Sequence, residues 1–212
     1  MKPAFACVLK LGGDYLPEHV RILAAQVRAN TTIEYDFICY TDSIEHIDGV
    51  TSIALENEWP GWWSVPEVYR RVGPTIVAGI DTVITGNIDE LFKIALNSWP
   101  FDFWMIRSWR KPIRPISGIM VYNGDWHWLY ENFSYEDNST KLRGEEDYTN
   151  LQFKHKGIKP KILQDEFEGI YSYKRQCQNG IPFNCKVIVF HGHPRPFEVP
   201  ELWKQITEEY PA

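Results

Sequence analysis

No stretch of this 212-residue chain is apolar over anything near the ~20 residues that cross a bilayer, so no membrane partner is expected. The N-terminus, MKPAFACVLKLGGDY, is too short in its apolar part for a signal peptide and has no typical cleavage region. Cysteine is scarce: Cys7, Cys39, Cys177 and Cys185 form no C-x-x-C pair, which argues against a zinc site. Cys7 and Cys39 sit inside apolar runs and read as buried thiols, and the chain is expected in the cytoplasm, reduced and soluble. Positive charge is not in excess either. The net charge of −6 argues against a broad basic surface for nucleic acid, which works by neutralising many phosphates. Two local clusters, Arg107–Arg114 (RSWRKPIR) and Lys154–Lys161 (KHKGIKPK), read as solvated loops or as a local groove for a polyanion. Finally, no Pro/Gly/Ser-rich linker, long charge run or repeat divides the chain, so residues 1–212 are expected to form one domain.

What the chain does have is aromatic residues, including nine Trp. Burying that many indoles completely is difficult, so some are expected to line a cleft or surface, the rest forming an aromatic core. Phe5–Leu11, Tyr35–Tyr40 and Val50–Leu55 read as strands, and Pro17–Arg28 as a helix with apolar residues at Val20, Leu23, Ala24 and Val27. This β-α-β-β opening suits a parallel α/β sheet, whose strands are continuous apolar runs. Trp59–Trp63 reads as a loop and Val65–Val72 as a short helix. Thr75–Ile80 is the next strand and ends on Asp81. Further helices are expected at Ile88–Leu96 (capped from Asn87), Asp125–Phe133, Asp147–His155 and Pro200–Glu209. Further strands are expected at Phe103–Arg107, Ile116–Tyr122 and Lys186–Phe190, with Ser134–Arg143 as a polar loop.

Three places carry candidate chemistry. Asp81 stands at the C-terminal end of a buried strand, where open α/β sheets bind ligands. A carboxylate there either holds a hard divalent cation and, through it, a diphosphate, or merely caps a turn. His191-Gly192-His193-Pro194-Arg195-Pro196 combines imidazoles suited to manganese-like ions, a glycine that lets backbone approach a diphosphate, and a guanidinium fork suited to phosphate. The bland reading is a Pro-rich surface loop. Glu145-Glu146-Asp147 opens a helix, where acids favour the dipole.

GIDTVITGNIDELF, residues 79–92, resembles the D-x-D region of GT-A glycosyltransferases. The segments WPGWWSVPEVYR, SGIMVYN, EEDYTN and FHGHPRPF follow in that family's order, and the resemblance is closest to glycosyltransferase family 8 and its bacterial and viral relatives. It implies one Rossmann-like GT-A domain: a central mixed, mainly parallel sheet flanked by helices, with residues 1–90 as nucleotide-binding part and 91–212 as acceptor-binding part. It implies transfer of a hexose or pentose from a nucleoside-diphosphate sugar, UDP first, to a hydroxyl acceptor, with Mn²⁺ or Mg²⁺ on the diphosphate and retention at the anomeric carbon. Asp81 matches the second Asp of D-x-D as metal ligand. His191, then His193, are the candidate histidine ligands. Arg195 matches the lysine that meets the leaving phosphate, beside Gly192. Asp147 matches a carboxylate near the reacting centre, able to take the acceptor's proton. Leu11, Gly12, Tyr15, Tyr40 and Asp42 fall in the loops that receive base and ribose, with Tyr15 placed to stack and Asp42 to accept the imide N–H or to cap the following segment. Gly79 and Ile80 lie beside the donor. Two positions depart: Gly79 stands for the first Asp and Val65 for a lysine. They keep alive a non-catalytic nucleotide- or glycan-binding module as the alternative. The acceptor is a glycan, a protein, a small molecule or modified nucleic acid, a hydroxymethylated base in viral DNA being the minority reading.

Overall fold

A computed structural model describes residues 1–211. In chain order the elements are β1 (Ala4–Leu9), α1 (Pro17–Ala29), β2 (Asp36–Thr41), β3 (Thr51–Ala54), a 3₁₀ helix (Gly61–Arg70), β4 (Thr75–Ala78), β5 (Thr82–Ile84), α2 (Asp89–Asn97), β6 (Phe103–Arg107) and β7 (Pro115–Tyr122). They continue with α3 (Trp128–Glu131), α4 (Tyr135–Ser139), α5 (Glu145–Lys156), β8 (Lys161–Ile162), β9 (Ile170–Ser172), a π-helix (Tyr173–Cys177), β10 (Val187–Val189) and α6 (Pro200–Glu209). The main sheet runs β3-β2-β1-β4-β7-β6-β8, and a small second sheet runs β5-β10-β9. In the main sheet only β7 opposes the others, pairing antiparallel with β4 and β6. The expected mixed, mainly parallel sheet is therefore the one observed.

β1 is an interior strand of the main sheet and both its faces are covered. Phe5, Cys7 and Leu9 join α1 and α2 in one core, while Ala4 and Ala6 join the 3₁₀ helix and α5 in the other. A third cluster packs α6 on the small sheet through Ile188, Leu202 and Ile206. Cys7 and Cys39 are buried thiols in paired register. Among the described residues no helix is long and apolar enough to cross a membrane.

The strand order reverses at β1: β2 and β3 lie on one side, β4 on the other. A crevice opens at such a switch point, beyond the carboxyl ends of the strands. Because β7 is antiparallel, its beginning at Ser117 and Gly118 reaches the same edge.

Several local expectations are corrected. Thr75–Ile80 stops at Ala78, because Thr82 N–H donates to Gly79 O (3.0 Å) and closes a β-turn that carries the chain into β5 and the second sheet. The helix expected over Val65–Val72 starts earlier, at Gly61, and takes in Trp62 and Trp63. Asp125–Phe133 shrinks to α3, since Asp125 Oδ1 accepts from His127 N (2.9 Å) and holds a turn. Ser134–Arg143 contains α4, capped where Ser134 Oγ accepts from Asp137 N (3.2 Å).

Asp89, read as a first-turn acid, also ties α2 to the Thr31–Thr32 turn. Its carboxylate accepts from Thr31 Oγ1 (2.6 Å), Thr32 N (2.7 Å) and Thr32 Oγ1 (2.6 Å). Burial alone would raise its pKa, but the hydrogen bonds from Thr31 and Thr32 outweigh that and hold it well below the usual range. A depressed carboxylate stabilises the fold above its unfolded pKa and loses that contribution as pH falls. Asp89→Ala is expected to cost about 1–3 kcal/mol at pH 7, with melting points of variant and parent converging in acid.

Candidate functional site

The switch-point crevice is a cleft of about 360 Å³. Its floor comes from Val8, Leu9 and Lys10 at the end of β1 and from Val77–Asp81 at the end of β4. Asp14, Tyr15, Trp62, Val65 and Arg195 close the sides, and Ser117, Gly118 and Glu145 face them across the sheet edge. Trp62 is one of the aromatic residues that stay exposed (60%).

The Gly79–Thr82 turn swings Asp81 back toward the strand. A Cβ on Gly79 would stand 2.5 Å from Asp81 Oδ1, so the space of a side chain at 79 is the space the Asp81 carboxylate uses. Arg195 bridges the mouth. Nη1 donates to Asp81 Oδ2 (3.1 Å), Nε and Nη2 donate to Asp14 Oδ2 (3.2 and 3.1 Å), and the guanidinium lies over the Tyr15 ring at 5.1 Å. Arg195 and Asp81 keep only 14% and 17% of their side-chain exposure, so water screens this pair little. Burial pushes the Asp81 pKa up, and the Arg195 charge works against it.

Two polar atoms here are buried without a well-aligned hydrogen bond: Glu145 Oε2, and the Tyr15 hydroxyl, which meets only the Asp81 carboxylate. Such atoms are uncommon and ask for a cause, and both residues line the same cleft. Ser117 Oγ donates to the other Glu145 oxygen at 2.7 Å. Burial, with the charges of Glu146 and Asp147 adding to it, pushes the Glu145 pKa up to about 8 against the pull of the Ser117 hydrogen bond.

Of the residues singled out in the sequence, Tyr15, Gly79, Ile80, Asp81 and Arg195 come together in this cleft. Asp147 does not. Its Oδ2 accepts from Arg143 N and Nε (3.1 Å each) and its Oδ1 from Arg114, so it locks the start of α5. Burial opposes those hydrogen bonds without overcoming them, and the Asp147 pKa stays below the usual range. The carboxyl facing the cleft is Glu145, two residues earlier. Asp42 lies behind the cleft wall: Oδ1 accepts from Leu11 N (2.9 Å) and Oδ2 pairs with Lys10 (2.9 Å), which fixes the Lys10–Gly12 loop. Leu11 and Gly12 are exposed on that loop, Gly12 at φ 90°. Tyr40 is core, beneath Arg70 at 5.1 Å. His191 and His193 line a neighbouring basin. His191 Nε2 bonds Ser172 Oγ (2.8 Å), and His193 Nδ1 pairs with Glu198 (2.9 Å). Gly192, at φ 70°, turns the chain between them.

A divalent ion does not fit this donor set. Hard cations gather several oxygen ligands. Position 79 offers none, Asp81 and Asp14 are both engaged by Arg195, and both histidines are bonded elsewhere. Among the described residues no three His, Cys, Asp or Glu side chains gather as a metal site.

No family model and no curated protein sequence matches the chain. Solved structures do. The galactosyltransferase LgtC, crystallised with donor and acceptor sugar analogs, superposes with TM-score 0.71 at 11% identity over 98% of this chain and 95% of that one. The glycosyltransferase GlyE of Streptococcus pneumoniae TIGR4 gives 0.69 at 14% identity, over 97% of this chain and 60% of its own length. The bifunctional glycosyltransferase WbbM gives 0.61 at 9%, over 99% of this chain and 50% of its own. What the chain shares with them is the fold, an α/β arrangement of the GT-A type.

Proposed function

We propose that the protein transfers a sugar from a nucleoside-diphosphate sugar, UDP being the first candidate, to a hydroxyl acceptor. One observation carries this reading: a partnerless buried carboxyl oxygen, Glu145 Oε2, lies on the switch-point cleft of a fold shared with sugar transferases. The nucleoside end of the donor falls to residues 1–90, on the side of the cleft where Tyr15 sits beneath Arg195. The acceptor approaches from the 91–212 side, past Ser117 and Glu145.

The step balances on this chain's own groups. The ionised Glu145 carboxylate takes the proton of the acceptor hydroxyl. The acceptor oxygen bonds to the anomeric carbon. The bond from that carbon to the phosphate oxygen breaks, and its electron pair leaves on the nucleoside diphosphate. A base with a pKa of about 8 is well matched to such work near neutrality, and the rate should rise with pH up to that value. Asp147, bound between Arg114 and Arg143, supports the turn that presents Glu145.

A thermal melt tests donor binding. UDP-glucose, UDP-galactose or another nucleotide sugar at 100 times its Kd should stabilise the fold by about 2.7 kcal/mol, raising Tm by roughly 5–10 °C for a chain of this size. A panel of nucleotide sugars with no shift at millimolar concentration would refute the reading.

A further inference from the structure

Beside the cleft lies a second basin of about 660 Å³, bounded by Trp109, Arg110, Lys174, Arg175, His191 and His193. The two spaces meet along one segment: His193 and Pro194 line the basin, and the next residue, Arg195, lines the cleft. The basin opposes the charge of the whole chain, −6. Arg110, Lys174 and Arg175 form no salt bridge among the described residues, and Lys174 Nζ makes its one bond to the His191 carbonyl, at 2.5 Å. The acid on the lining, Glu146, is already paired with Arg114 at 2.7 Å. Three uncompensated cations therefore face one concavity.

Their support is unusual. Lys174 and Arg175 project from the π-helix Tyr173–Cys177. Such turns are rare and occur frequently at functional sites. This one is anchored at both ends. Tyr173 stacks on Phe190 with ring centroids 4.5 Å apart, and Cys177 is buried. The local field is felt by His191, whose pKa is lowered by burial first and then by Lys174 and Arg175.

We propose that this basin binds the donor's phosphoanhydride, with Lys174 and Arg175 supplying the positive charge that a divalent ion would otherwise bring. The proposal rests on the nucleotide-sugar reading of the cleft. It resolves the misfit at Asp81: with position 79 a glycine, Arg195 spent on Asp81 and Asp14, and Lys10 spent on Asp42 and Glu58, both cations lining the cleft are already paired. A guanidinium fork suits the phosphate oxygens and an ammonium adds a compact charge. Cations fixed where the leaving group gains charge favour the transition state without reorganising.

The test uses inorganic pyrophosphate, titrated calorimetrically into the full chain in EDTA and again with Mn²⁺. Binding in EDTA is expected, changed less than about threefold by Mn²⁺. Lys174→Ala/Arg175→Ala should weaken it by about 100-fold, at one tenfold step per charge-assisted hydrogen bond lost. The control Lys154→Ala/Lys159→Ala removes the same charge from an exposed surface elsewhere and should leave affinity unchanged. Binding that requires Mn²⁺, no binding at all, or equal losses in the two double variants would overturn the proposal. If pyrophosphate behaves as expected but no nucleotide sugar binds or turns over, the basin stands and the reading of the cleft fails. If nucleotide sugars turn over only with Mn²⁺, the cleft stands and the basin fails.

Discussion

Glu145→Gln is expected to lower sugar transfer by about 10²–10⁴-fold, the usual worth of a positioned acid–base group, while making the protein more heat-stable at pH 8–9. Both effects come from one buried carboxyl. Glutamine keeps its shape and can still meet the Ser117 hydroxyl, but it cannot take a proton from the acceptor. The stability effect follows from linkage. In the unfolded chain a glutamate ionises near pH 4.3, whereas in the fold it holds its proton to about 8. Between those values the folded state binds the extra proton, so stability falls as pH rises through the window. The amide has no such cost. The Tm gap between variant and parent should be small near pH 4, widen through pH 8, and amount to about 2–4 °C for each kcal/mol. Equal pH slopes for the two proteins would place Glu145 in water instead. Loss of activity with a lower Tm at every pH would mark it as merely structural.

Arg195→Met is expected to act on the other wall. It leaves Asp81 and Asp14 without their shared cation and Tyr15 without the charge over its ring. Removing one partner of a buried pair costs about 3–5 kcal/mol, and the residual exposure of 14–17% places this pair at the lower end. Asp81 then takes up a proton, because burial already pushes its pKa upward and Arg195 is the charge that resists. The variant should therefore be least destabilised in acid and lose stability as pH rises from about 4, the unfolded carboxylate value. Adding Asp81→Asn should recover part of the loss, and that coupling, read in a double-mutant cycle, measures the pair itself. Strict additivity of the two substitutions would deny the contact.

Much of this was legible in the sequence, for physical reasons. β1, β2 and β4 are buried on both faces, so their residues form continuous apolar runs. α1 and α6 carry clean helical spacing and open on a proline. Of the second sheet only β10 was legible, inside the strand expected at Lys186–Phe190. β5 follows β4 after a single turn and looks like its continuation, and β9 is three residues long with no pattern to betray it. At the site, Asp81 and Arg195 stood out because a strand end and a Gly/Pro-rich loop mark the crevice, whereas Tyr15 came from the family resemblance alone. Choosing among Glu145, Glu146 and Asp147 needed more than spacing. All three sit in the first turn of α5, and only tertiary contacts decide the outcome. Arg114 and Arg143 capture Asp147, Arg114 also takes Glu146, and Ser117 holds Glu145 against the cleft. Lys10, Asp14 and Trp62 gave no local signal beyond lying near the right loops.

Whether a sugar transferase works at the Glu145–Asp81 cleft is decided by release of nucleoside diphosphate from a panel of nucleotide sugars with water as acceptor, measured for the parent and for Glu145→Gln. The parent is expected to release it slowly from at least one donor, faster as pH rises toward 8, and the variant to release it about 10²–10⁴-fold more slowly. Nucleotide binding without release in either protein would contradict this and leave a binding module on this fold.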